Sequence, residues 1–148
     1  MIPGIGSIVD RVQFDVERGK ILEFARATGA SDPAHTDPEA ASQRGFSAPL
    51  ATATHLVVAG QYRDARAAVT LLGMEYSRVV VGSTMWEYDR PLIAGDRLTG
   101  VRRIIADETK AGSRGGNMRL VTLETDFTDD QGLRVARQRE VLIEKGEQ

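Results

Sequence analysis

The chain of 148 residues carries 19 Lys and Arg against 21 Asp and Glu, which gives a formal net charge of −2. A chain this close to neutral lacks the basic excess of nucleic-acid-binding proteins, and with 41% hydrophobic residues it is too apolar for a disordered protein. It has no cysteine and two histidines, which excludes disulfides, thiol nucleophiles and a multi-histidine metal site within one chain. We find neither an apolar run long enough to span a membrane nor a secretory signal, so we expect one cytoplasmic domain over residues 1–148.

The first half of the chain is predicted to be helical and rich in loops. A short strand is predicted over 12–16, and apolar residues at helical spacing predict a helix that ends at Gly29. Asp37, followed by Pro38 and Glu39, is typical of a helix start, and this short helix is predicted to end at a glycine. A long helix of small residues is predicted over 50–69.

The second half is predicted to form an antiparallel sheet. Strands are predicted over 79–86, 96–106, 118–127 and 133–143. Apolar and polar residues alternate over 121–127, as in a strand buried on one face. A long helix followed by consecutive strands indicates an α+β fold in which the helix lies on the sheet.

One loop contains more polar residues of a kind suited to catalysis or ligand binding than the rest of the chain. It reads Gly29-Ala30-Ser31-Asp32-Pro33-Ala34-His35-Thr36-Asp37-Pro38-Glu39-Ala40-Ala41, and polar side chains on a loop between helices can be aimed at a ligand. This run resembles the signature Gly-Asp-x-Asn-Pro-[Leu/Ile]-His-x-Asp-Pro-x-x-Ala of the MaoC-like hydratases and dehydratases. A later run, Arg90-Pro91-Leu92-Ile93-Ala94-Gly95-Asp96, resembles the turn Pro-x-x-x-Gly-Asp of the same family. The second run and the lead-in Phe-Ala-x-Ala-Thr-Gly are most similar to the branch of FAS1-like dehydratase domains.

The resemblance implies a hotdog fold, in which an antiparallel sheet wraps a long central helix. It implies that two such domains pair, as a homodimer or as a heteromer with a second MaoC-like chain, and that acyl thioesters bind between them. The implied reaction is the reversible, (R)-specific hydration of an enoyl thioester to a 3-hydroxyacyl thioester. The resemblance implies no metal and no separate cofactor, since coenzyme A or an acyl-carrier arm arrives with the substrate.

Site residues follow from the resemblance position by position. In the family an Asp and a His five residues later activate one water, and here these positions are Ala30 and His35. His35 is therefore the predicted proton-transfer residue, and Asp32, three residues before it, is the candidate acidic helper. The backbone N–H of Ala53 is the predicted donor to the thioester oxygen. Four further positions are predicted to bind substrate: Pro49, Leu50, Thr52 and Gly95.

The absence of the family's acid at Ala30 leaves three hypotheses open. In the first, Asp32 replaces the acid and the chain is an active hydratase on its own. In the second, the chain shapes the acyl pocket for a partner hotdog chain that carries the complete Asp and His pair. In the third, it is a hotdog protein of another activity, such as a thioesterase or a module that binds acyl thioesters.

Overall fold

The computed structural model describes residues 1–146, and its largest unit is one antiparallel sheet of five strands. The strands are β1 (Ile8–Asp15), β2 (Val79–Tyr88), β3 (Arg97–Ala111), β4 (Asn117–Thr128) and β5 (Arg134–Glu144), in the spatial order β1-β3-β4-β5-β2. Three α-helices, α1 (Arg18–Thr28), α2 (Pro38–Gln43) and α3 (Ala65–Leu71), lie between β1 and β2 in the chain, together with 3₁₀ helices at Pro33–His35, His55–Tyr62 and Tyr76–Arg78. The predicted α+β class is confirmed.

The four predicted strands of the second half are all present, with ends shifted by a few residues. In β4 the alternation seen in the sequence becomes alternating burial: Val121, Leu123, Thr125 and Phe127 are buried, and the residues between them are only half-buried. The strand predicted over 12–16 begins earlier, at Ile8, because the segment pairs with β3.

Helices α1 and α2 end and begin as the sequence predicts. Gly29 adopts a left-handed conformation (φ 70°) after the last turn of α1, and its N–H donates to the carbonyl of Arg26. The Asp37 carboxylate accepts the Glu39 N–H at 2.9 Å and so caps α2, with Pro38 in the first turn.

The prediction of one long helix over 50–69 is wrong in both length and helix type. The segment forms the 3₁₀ helix His55–Tyr62, here called the central 3₁₀ helix, and the chain is extended at Arg63 before α3 begins. The Asp64 carboxylate accepts the Ala67 N–H at 2.9 Å and starts this second helix. Two consecutive valines and a glycine also lower the helix propensity of the first part.

The main core lies between the sheet and the central 3₁₀ helix. Phe14 and Phe127 on the sheet face Leu56 and Ala59 of that helix, and all four are fully buried. Strand β2 is hydrogen-bonded to β5 on one side and ends the sheet on the other. It exposes the apolar side chains of Val80, Val81 and Met85.

Candidate active site

The loop singled out in the sequence folds into a 3₁₀ turn, Pro33–His35, that buries the His35 side chain. The His35 Nδ1 lies 2.6 Å from the carbonyl oxygen of Leu50. Because a carbonyl only accepts, Nδ1 must carry the proton in this bond. The second ring nitrogen, Nε2, is then the unprotonated one in the neutral imidazole and can take up a proton.

His35 lines a cavity of about 560 Å³ formed by two segments distant in the sequence. One segment comprises Leu50, Ala51, Thr52 and Ala53, and the other comprises Tyr88, Asp89, Arg90, Pro91 and Leu92. A β-bridge between Leu50 and Ile93 joins the two segments, and the Ala51 N–H donates to the carbonyl of Leu92 at 2.9 Å. The two motifs found in the sequence thus meet in one site.

The turn before the central 3₁₀ helix presents an unused backbone donor. Within residues 1–146 no acceptor takes the N–H of Ala53, and the hydroxyl of the neighbouring Thr52 is buried without a partner. The Ala53 carbonyl accepts a hydrogen bond from the Tyr88 hydroxyl, which holds this turn against β2. Burial raises the pKa of Tyr88 to about 12, so the hydroxyl remains a donor at neutral pH.

The geometry does not support the predicted role of Asp32. Its carboxylate is used twice within the turn: one oxygen accepts the Ala34 N–H at 3.0 Å, and the other pairs with the Arg44 guanidinium at 2.5 Å. These bonds, the one from Ala34 first, hold the pKa of Asp32 below its ordinary value. Asp32 does not belong to the cavity wall, so its place is that of a turn and helix-capping residue.

Pro49 and Gly95 support the cavity from behind its wall. The Pro49 carbonyl accepts the Ala94 N–H at 2.9 Å. Gly95 has a φ of 97°, where glycine is favoured, and its N–H donates to the carbonyl of Val16 at 2.8 Å. Of the predicted substrate-binding positions, Leu50 and Thr52 line the cavity, whereas Pro49 and Gly95 do not.

The sequence did not predict that residues 88–92 form a wall of the cavity, although Arg90 and Pro91 are the first residues of the second motif. Asp89 in this wall is paired with Arg134 through both carboxylate oxygens, at 2.7 and 3.1 Å, which lowers the pKa of Asp89. Arg90 is paired with Asp96 in the same way, at 2.8 and 3.0 Å. Each charge in the wall therefore has a partner, and no carboxylate of the described residues 1–146 hydrogen-bonds His35.

The second histidine is a core residue. His55 is fully buried, with ring-centroid distances of 5.8 Å to Phe14 and 5.5 Å to Phe24. No atom of the described chain hydrogen-bonds either ring nitrogen. Burial, and to a smaller extent the charge of Lys20, lowers the pKa of His55 to about 4, so the ring is neutral at pH 7.

Two further observations concern residues 1–146 as a whole. No three histidine, aspartate or glutamate side chains in this range come together in a way that would hold a metal ion. No helix in the same range has the length and apolarity needed to cross a membrane.

Comparison with known proteins gives one consistent result. The family described as "FAS1-like, dehydratase domain region" matches residues 4–138. A UPF0336 protein from Clavibacter michiganensis is 39% identical over 137 residues, which cover 89% of this chain and 86% of the relative.

Solved structures agree with this result. A MaoC-like dehydratase superposes with a TM-score of 0.82 at 26% identity over 98% of this chain, which spans 42% of that longer protein. A chain of the HadBC (3R-hydroxyacyl-ACP dehydratase) complex from Mycobacterium tuberculosis superposes with a TM-score of 0.69 at 23% identity, covering 88% of this chain and 89% of the other. The hotdog fold and the MaoC-like resemblance expected from the sequence are confirmed.

Proposed function

Because the chain belongs to the family of FAS1-like dehydratase domains, we propose that it acts on acyl thioesters as a subunit of an (R)-specific hydratase or dehydratase. One arrangement carries this proposal. A buried histidine with Nδ1 fixed by the Leu50 carbonyl lines a cavity that Ala53 also lines, and the N–H of Ala53 has no acceptor within residues 1–146. A proton acceptor and a donor to a developing oxyanion are the two groups that addition of water to an enoyl thioester requires.

The chemistry follows from these two groups. In the hydration direction His35 Nε2 takes a proton from water while the water oxygen bonds to C3 of the enoyl group. The electron pair of the C2–C3 double bond moves toward the thioester carbonyl, and the Ala53 N–H stabilises the negative charge on its oxygen. The proton held by His35 then returns to C2, and dehydration is the reverse sequence.

The proposed assembly contains a second hotdog chain that supplies the missing carboxylate. Ala30 stands at the family's acid position, and Asp32 and Asp89 are held by Arg44 and Arg134. The open edge of β2, with its exposed apolar side chains, is a surface on which a second sheet can pair. The HadBC relative is itself described as a complex, which supports a heteromeric arrangement over a homodimer.

The test follows the absorbance of crotonyl-CoA and of a longer enoyl-CoA, with coenzyme A as the first carrier because it is the simpler substrate. The purified chain is compared with the same chain co-expressed with each hotdog protein of its source genome. We expect slow loss of absorbance with the chain alone, and rapid loss in one pair that falls at least about a hundredfold with His35→Ala in this chain.

Two results would contradict the proposal. Release of free thiol, detected with a thiol-reactive dye, would indicate a thioesterase. Binding of acyl-CoA without turnover in any pair would indicate a module that binds acyl thioesters. A rapid reaction of the chain alone would remove the partner from the proposal but keep the reaction.

A further inference from the structure

A second cavity, of about 180 Å³, lies between the central 3₁₀ helix and the sheet, apart from the His35 cavity. Its apolar wall includes Leu56 and Val57 of that helix. Its polar wall comprises Arg63, Arg102, Gln138 and Glu140. Charged and amide side chains are seldom buried between a helix and a sheet unless they have partners.

The charges of this polar wall balance one another. Arg102 donates to Glu140 at 2.8 Å and also pairs with Asp10. Arg63 lies 3.4 Å from Asp10 through its Nε and donates to the Thr125 hydroxyl at 3.1 Å. Two cations and two anions leave no net charge for a charged ligand to neutralise, and a charged ligand would itself have to be desolvated.

Arg63 Nε and Asp10 Oδ1 make no hydrogen bond but face each other at 3.4 Å, whereas two other atoms of this wall have no partner of either kind. The side chains of Arg102 and Gln138 are more than nine-tenths buried, and no group of the described chain bonds Arg102 Nε or Gln138 Oε1. The first is a donor and the second an acceptor. Trp86, opposite Gln138 in the pairing of β2 with β5, also has a buried indole N–H without an acceptor.

The paired strands β2 and β5 contribute residues to the walls of both cavities. Tyr88, in the wall of the His35 cavity, pairs with Ala136 in the β2–β5 register, and Trp86 pairs with Gln138. Two residues along a strand return to the same face, about 7 Å further on. Gln138 is therefore one such step along the β2–β5 pair from the wall of the His35 cavity, within reach of an acyl chain that extends from the thioester position along this face.

We propose that this cavity binds a neutral oxygen-bearing group, a hydroxyl, at the far end of the acyl chain. The inference rests on the proposed function, which places the thioester between His35 and Ala53. A hydroxyl accepts from Arg102 Nε–H and donates to Gln138 Oε1, so it satisfies both atoms at once. A methyl end would leave both without a partner, and a carboxylate would repel Gln138 Oε1 and upset the charge balance.

Binding of saturated acyl-CoAs, which cannot be hydrated, tests the inference without turnover. Octanoyl-CoA is compared with 8-hydroxyoctanoyl-CoA, and decanoyl-CoA with 10-hydroxydecanoyl-CoA, by quenching of Trp86, the single tryptophan of the chain. We expect the hydroxylated member of one pair to bind roughly tenfold more tightly. Gln138→Leu should reduce the ratio to about one, whereas Gln13→Leu, at an exposed glutamine of β1, should leave it unchanged.

A second arm separates this inference from the proposed function. Free 1-octanol and 1-chlorooctane carry no thioester and differ only in the hydroxyl, so the difference between their affinities reports on the hydroxyl site. Binding of octanol that Gln138→Leu removes, without binding of any acyl-CoA by the chain alone or by any of its hotdog pairs, would keep the hydroxyl site and reject the proposed function. Acyl-CoA binding with no preference for the hydroxyl in either pair would reject the hydroxyl site and keep the proposed function. Failure of both probe classes would reject both.

Discussion

His35 Nδ1 and the Leu50 carbonyl oxygen lie 2.6 Å apart, which places the single proton of the neutral imidazole on the side away from the reacting water. In many histidine sites a carboxylate fixes the tautomer, and here the backbone does so. A second bond joins the same two segments, since the Leu50 N–H donates to the carbonyl of Ala34 in the 3₁₀ turn at 2.8 Å.

His35→Asn should separate the structural role of this histidine from its chemical role. The asparagine amide nitrogen can take the place of Nδ1 and keep the bond to Leu50, but it offers no base at the position of Nε2. We expect unfolding free energy within about 1 kcal/mol of the parent chain and a hydration rate at least about a hundredfold lower in the active assembly. Urea unfolding and the enoyl absorbance assay measure the two effects. An active His35→Asn variant would show that His35 is not the base.

Ala30→Asp should restore the acid that the family places before the histidine. We expect the purified chain to hydrate crotonyl-CoA at least about tenfold faster after this change, because a carboxylate can orient the water for His35. Ala30→Asn is the matched control, since it has the same size without the negative charge. An equal rate in both variants would argue that the missing carboxylate does not limit the reaction.

Tyr88→Phe should impair the turn that presents the Ala53 N–H. The change removes the hydroxyl that donates to the Ala53 carbonyl, so the donor loses its orientation while the cavity keeps its apolar wall. We expect kcat to fall about tenfold with little change in KM, because the N–H acts mainly on the charge that develops in the transition state. Tyr76→Phe, at an exposed tyrosine, is the control. A rise in KM alone would assign Tyr88 to substrate binding instead.

His55 should make the fold sensitive to mild acid. Its pKa is about 4 in the folded chain and about 6.5 in the unfolded chain. The unfolded state therefore binds more protons between these values, and stability falls as pH drops from about 6.5 to about 4, by up to about 3 kcal/mol. Urea titrations at pH 7, 6 and 5 measure the loss. In His55→Leu this part of the pH dependence should disappear, and its persistence would assign the acid sensitivity to other groups.

Gly100 is required by close packing within the sheet. A Cβ at this position would lie 2.8 Å from side-chain atoms of both Phe127 and Val12, which belong to the fully packed core. Gly100→Ala should destabilise the chain by about 1–3 kcal/mol, since overpacked cores must shift backbone or rotamers. Gly60→Ala is the control, because a Cβ there meets no atom within 4 Å. Equal midpoints of urea unfolding for the two variants would contradict the packing argument.

The sequence predicted those parts of the fold that depend on local patterns. Three such features are present: alternating burial in β4, the N-cap at Asp37 and the helix end at Gly29. Each depends on residues that are neighbours in the sequence. The long helix over 50–69 was predicted from small apolar residues, a composition that does not distinguish an α-helix from a 3₁₀ helix. Its interruption depends on Asp64, whose side chain can equally lie on a helix surface or start a new helix.

The sequence predicted only those residues of the candidate site that belong to a single local motif. His35 was found from the loop pattern, but the partner of Asp32 is Arg44, twelve positions away, and no local rule associates the two. The wall from Tyr88 to Leu92 reaches the histidine through the Leu50–Ile93 bridge. A contact made by two loops of distant sequence leaves no periodic signal in either of them.

The carbonyl that orients His35 belongs to the main chain, and this has a consequence for how such proteins diverge. Every residue type at position 50 supplies that oxygen, so the tautomer of the imidazole does not depend on which side chain stands there. A sequence motif that requires an acidic residue near the histidine would classify His35 as lacking a partner, although the backbone already orients its ring. Relatives that lack the acid are therefore better sorted by the path of the chain at this point than by their side chains.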